Sequence, residues 1–168
     1  MASYTYQVLK DTTKQTVIKL TGASLTSDES NGARIVANSL YRALDANNNL
    51  LVNGNTAKSF YGLSVYRVWY DVAFNAGGYA TLTWSGANQV PIISMSAAGE
   101  YNQAGNWIAI PNLNTGASVN GNIGLFTTNV SSGGYSIIIE LHKDNNYYDA
   151  GQLIEPNAFN YNPYDVTP

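Results

Sequence analysis

The chain has 168 residues, of which 11% are charged, and it contains one His and no Cys. That length fits one domain able to bury about two-thirds of its unfolded surface, while the missing cysteines exclude a disulfide framework, a thiolate zinc site and a thiol nucleophile. A formal net charge of -3, with eight scattered Lys and Arg residues, excludes the clustered basic surface that phosphate contacts need, so no nucleic-acid partner is expected.

Residues 1–20 alternate polar and apolar positions and hold no apolar run after a basic start. Neither a signal peptide nor a membrane span is expected there, and Tyr4 to Leu9 and Gln15 to Leu20 read as short strands. Residues 33–44 fit two periods, because Val36, Leu40 and Leu44 recur at helical spacing while Ile35, Ala37, Ser39 and Tyr41 suit a strand; strand is the expectation. Asp45 to Asn49 begins like a calcium loop, but Leu50 stands where the loop needs Gly and Thr56 where it needs Glu. An Asx-rich turn leading through Asn53-Gly54 is the reading that fits.

Leu63 to Phe74 is the clearest strand, with Tyr66, Val68, Tyr70, Val72 and Phe74 predicted on the core face and Val65, Arg67, Trp69 and Asp71 on the other. Gly77-Gly78 then reads as a turn into Tyr79 to Trp84, where Ala80, Leu82 and Trp84 share a side, and the two runs are predicted to form a hairpin. The next run, Gln89 to Met95, carries Pro91 near its start, which favours a sheet edge. Trp107 to Ile110 and Ile123 to Thr127 are shorter candidates. Gly133 to Lys143 is a second strong strand, with Tyr135, Ile137, Ile139 and Leu141 on one face. The pattern predicts an all-β fold, an antiparallel β-sandwich with the jelly roll as one of its forms, over residues 1–144.

From Asn145 the periodicity stops. Residues 145–168 contain Pro156, Pro163 and Pro168 and space out Tyr147, Tyr148, Phe159, Tyr161 and Tyr164, which reads as an extended C-terminal arm able to reach up to about 80 Å. Tyr buries a large ring while its hydroxyl still finds a partner, so these residues, with Tyr4 and Tyr6 of the first strand, are the candidate interface anchors.

Chemistry is poorly represented. Glu140 and His142 point the same way on one strand, but a solvated strand end beside Lys143 and Asp144 accounts for them. One His without Cys makes a zinc site improbable, and no nucleotide, phosphate or hydrolase motif occurs. No catalytic residue, metal ligand or cofactor is therefore assigned, and the chain is not expected to be an enzyme. Trp84 and Trp107 sit among apolar neighbours and read as core; a glycan-binding module would need at least one exposed Trp or Tyr face with Asn or Asp beside it.

The opening strand "SYTYQVLKDTTKQTVIKLTG", the aromatic "YRVWYDV", the segment "GNWIAIPN", the strand "YSIIIELHKD" and the Tyr/Asn/Pro arm together resemble small virion structural proteins of tailed bacteriophages. The likeness covers most of the chain in style and carries no residue-level site. It implies a capsid decoration or cement protein on the outer surface of the head, made in the host cytoplasm. The partners it implies are the major capsid protein and copies of the chain itself, in a homo-oligomer with a trimer favoured. The alternatives are a neck or tail component and a glycan-binding module on the virion surface.

Overall fold

The computed structural model describes residues 3–30, 32–75, 77–102, 109–114 and 118–150. In chain order its strands are β1 (Ser3–Asp11), β2 (Gln15–Leu25), β3 (Gly32–Ile35), β4 (Leu63–Phe74), β5 (Tyr79–Trp84), β6 (Val90–Met95), β7 (Ala97–Tyr101), β8 (Ile110–Pro111), β9 (Ile123–Thr128) and β10 (Gly133–Lys143). One sheet runs β1-β2-β10-β4-β7, with β8 also paired to β4; the other runs β3-β9-β5-β6. Every pairing is antiparallel. The fold is thus an all-β sandwich of two antiparallel sheets.

The core forms where the two inner faces meet. Ile18 and Leu20 of β2, Val65 and Val68 of β4, and Ile137, Ile139 and Leu141 of β10 pack with Ile35, Leu82, Trp84, Met95, Ile123 and Leu125 of the other sheet. Each such side chain contributes roughly 1.5–3 kcal/mol on burial. Strand β10 alternates buried and half-buried positions throughout its length, with Tyr135, Ile137, Ile139 and Leu141 inward as its sequence predicts. Pro91 lies in β6 at the edge of the second sheet, also as predicted.

Three expectations change. Strand β4 has the predicted limits, but its facing switches at Tyr66, because Glu140 pairs with Arg67 and Leu141 with Val65. Tyr66 is the extra residue of a β-bulge. Leu63 and Val65 therefore join the core, and Tyr66 stacks on His142 with ring centroids 4.1 Å apart. Strands β4 and β5 are not a hairpin: β10 and β7 occupy the two sides of β4, so the chain leaves that sheet after Phe74 and β5 begins the other. Asn75 holds this corner, its side-chain oxygen accepting the Ser132 N–H at 2.9 Å. Residues 33–44 are strand only to Ile35, followed by a short 3-10 turn at Ala37–Ser39.

Residues 145–150, assigned by sequence to the arm, pack onto the sandwich. Tyr148 bridges to Ala43, the Leu44 N–H donates to the Tyr147 carbonyl at 2.9 Å, and the Asp149 N–H to the Arg42 carbonyl at 2.9 Å. Residues 151–168 lie outside the described residues.

Candidate interaction surface

The first sheet is wider than the second, and β1 is its outermost strand. Pairing of Tyr6 with Leu20 and of Val8 with Ile18 places Tyr4, Tyr6 and Val8 on the inward-pointing face. The Arg34 side chain of β3 reaches over Tyr4, yet Tyr4, Tyr6 and Val8 remain 40–43% exposed. Leu9 is the extra residue of a bulge between Val8 and Lys10 and is exposed as well. From Ser3 to Val8 the edge has neither proline nor charge, the two usual guards against strand addition. The other described edges are guarded: β3 is short and carries Arg34, β6 carries Pro91, and β7 carries Glu100.

The edge is held firmly at both ends. At the start of β1, the Arg34 guanidinium lies 3.9 Å from the Tyr4 ring centroid and 3.6 Å from Glu29, whose other carboxylate oxygen accepts the Tyr135 hydroxyl at 2.8 Å. Tyr135 itself needs Gly22 opposite, since any Cβ there would strike its ring. Burial and the Glu29 carboxylate together push the Tyr135 hydroxyl above the usual tyrosine range. At the far end, the buried Lys143 ammonium donates to Asp11 and to the carbonyls of Thr12 and Tyr41 at 2.7 and 2.9 Å. Tied at both ends by these contacts, the exposed β1 row loses less conformational entropy when a partner covers it than a free strand would.

The predicted anchors separate into three groups. Tyr4 and Tyr6 are exposed and lie together on β1. Tyr147 and Tyr148 serve their own domain. Tyr148 is fully buried and its hydroxyl donates to the Ala37 carbonyl at 2.8 Å; Tyr147 packs edge-on against Phe60 at 5.2 Å. For Tyr148 the expectation of reaching a neighbour is corrected, because a core slot beside Tyr61 holds it, which local periodicity does not reveal; Tyr147 lies half-buried beside the same ring. Phe159, Tyr161 and Tyr164 lie outside the described residues. Val8 and Leu9 were missed as surface residues because alternation in β1 looks the same whether or not a second sheet lies above it.

The weaker chemical candidates keep structural roles. His142 Nε2 stands 3.8 Å from Glu140 on the outer face. Asp45 anchors the Asn-rich loop, one carboxylate oxygen accepting the N–H groups of Asn47 and Asn49 and the other the Asn55 amide. Trp84 is in the core, Trp69 stands half-buried on the outer face of the first sheet, and Trp107 is outside the described residues. Comparisons with protein-family models, curated proteins and solved structures find no match to this chain.

Proposed function

We propose that this chain is a non-enzymatic virion structural protein, a decoration or cement protein that binds the major capsid protein on the outside of an assembled phage head. The observation that carries this reading is the unguarded β1 edge, with Tyr4, Tyr6, Val8 and Leu9 exposed on a rigid strand. An exposed ladder edge offers main-chain hydrogen bonds to an incoming strand, and the alternating side chains select its register. The strand order supports the same reading. We take β2-β10-β4-β7 facing β3-β9-β5-β6 as the jelly-roll order, with β1 added outside it, an arrangement used by viral capsid and lectin domains. Fold analogy alone does not assign a function; the edge supplies the site.

A cement protein needs area and multivalency more than chemistry. Binding the assembled lattice and not free subunits stabilises the assembled state by linkage, and an oligomer that contacts several subunits gains avidity from individually weak contacts. A trimer is the oligomer we expect.

Electron cryomicroscopy of the parent particle tests the assignment. Density for this chain on the icosahedral shell, with β1 against capsid subunits, is the expected result; density at the neck or tail, or none on the particle, overturns it. The paired variant Tyr6→Lys with Val8→Lys places charge on the edge. It should abolish attachment while leaving the unfolding free energy within about 1 kcal/mol of the parent, and undiminished attachment would remove β1 from the interface.

A further inference from the structure

The outer face of the first sheet carries a second feature that the edge does not use. Across three neighbouring strands, Ser136 pairs with Asp71 and Asp71 with Ala98, forming a row of short side chains. The adjacent row is Ile138, Trp69 and Glu100, and these are tall. The step between the rows is a groove of about 530 Å³, with Trp69 as its wall and Asp71, Ser136 and Ala98 along its floor. The groove is shallow and open to solvent, so a ligand would lie along it rather than be enclosed.

The wall is fixed in place. The Arg67 guanidinium packs 5.1 Å from the Trp69 ring centroid and reaches Glu100 at 3.7 Å, and Arg67 is not part of the groove lining. Trp69 is half-buried and lines the groove. An indole on a solvent-facing strand exposes apolar area that a polar side chain would not, and here it adjoins two carboxylates and a hydroxyl.

We propose that this groove binds a neutral saccharide. The indole face carries the negative lobe of its quadrupole and attracts the polarised C–H groups of a pyranose ring. Asp71 and Glu100 accept hydrogen bonds from sugar hydroxyls, which are stronger for the charge on the acceptor, and Ser136 can donate or accept. Charge decides among ligand classes. Across the outer face, Lys10, Lys19 and Arg67 balance Asp71, Glu100 and Glu140. The face has no net charge to attract a polyanion or a basic peptide, whereas an uncharged polyhydroxylated ligand matches both its apolar wall and its polar floor. This site is independent of where the protein sits on a particle.

Titration of the full chain by two-dimensional amide and indole NMR tests the proposal, with maltohexaose, cellohexaose and laminarihexaose as neutral probes and heparin and an oligolysine peptide as charged ones. At least one neutral probe should shift the Trp69 indole together with the amides of Asp71, Ala98 and Ser136. Trp69→Ala should weaken binding about tenfold or more, while Trp69→Phe, which keeps a flat ring, should retain most of it. Ala98→Arg fills the groove from an exposed position and should remove binding while the rest of the spectrum stays folded. Absence of shifts with every neutral probe, neutral binding that survives both Trp69→Ala and Ala98→Arg, or binding confined to heparin or oligolysine would each overturn it.

Discussion

Lys143 and Asp11 form a buried ion pair that joins the end of β10 to the end of β1, with the Lys143 side chain wholly removed from solvent. The second Asp11 carboxylate oxygen accepts the Tyr41 N–H at 2.8 Å, so the pair also fixes the chain after the 3-10 turn. Breaking a buried pair strands the remaining charge, at a cost of about 3–5 kcal/mol. Lys143→Met should destabilise by about 3 kcal/mol. Asp11→Asn should cost less, about 2 kcal/mol, since two carbonyls still receive the ammonium. The double variant should lose less than the sum of the two, as contacting residues do. Urea denaturation reads all three, and additive losses would refute the coupling.

Tyr148 separates a structural tyrosine from an interface one. Its ring fills the core and its hydroxyl meets the Ala37 carbonyl. Tyr148→Phe should cost about 1 kcal/mol for the lost hydrogen bond, and Tyr148→Ala about 3–5 kcal/mol for the cavity. Tyr6→Ala, at a position 40% exposed, should cost about 1 kcal/mol, well below the cavity cost at Tyr148. The same urea curves rank them, and equal losses for Tyr6→Ala and Tyr148→Ala would contradict the burial assignment.

Much of the fold was legible because period-two alternation is imposed directly by the pleat. Strand β10 needed no other information, and Pro91 marked an edge because it cannot donate to a ladder. The errors have one cause. Whether a turn joins strands of one sheet or of two depends on which sides of β4 are already paired, and that is decided by β10, far along the chain. The Tyr66 bulge is likewise a property of a pair of strands and leaves no mark in one. For the candidate site, the exposed tyrosines of β1 were identified by type, but their exposure depends on the width of the opposite sheet. At the Trp69 groove, alternation along β4 already places Asp71 on the indole's face, while only the register brings Glu100 and Ser136 from distant strands beside it.

Alkaline pH should unfold the domain through its buried tyrosines. Burial, then neighbouring tyrosine and carboxylate charge, raises the Tyr148 hydroxyl; burial and Glu29 raise Tyr135. Their folded values lie above the unfolded value near 10. The stability they contribute is therefore complete below about pH 10 and falls as pH rises toward the folded values, by about 1.4 kcal/mol per unit for each group. Lys143 acts in the opposite direction, because burial lowers it from 10.5 despite Asp11, and the cost of its charge is relieved as pH rises to that value. One opposing group does not cancel two. Urea midpoints from about pH 8 to about pH 12 should fall steeply above pH 10, and Tyr148→Phe should reduce the slope by roughly one proton. A flat profile would refute the burial of both hydroxyls.

Gly133, like Gly121, is a described position where φ is positive and a Cβ would fall 2.1 Å from a backbone carbonyl oxygen. Its φ is +130°, at the start of β10, and a Cβ there would overlap the Ala73 carbonyl of the paired strand. Gly54 also has positive φ, at +95°, but nothing lies within 4 Å of the Cβ it would gain. Comparing Ala at the two sites separates backbone strain from collision. Gly54→Ala should cost about 1 kcal/mol, from the conformation alone. Gly133→Ala should cost about 3 kcal/mol or more, because the β10–β4 ladder must open to make room. Thermal unfolding of the two variants provides the measurement, and losses of equal size would mean that β4 yields at Ala73 without penalty.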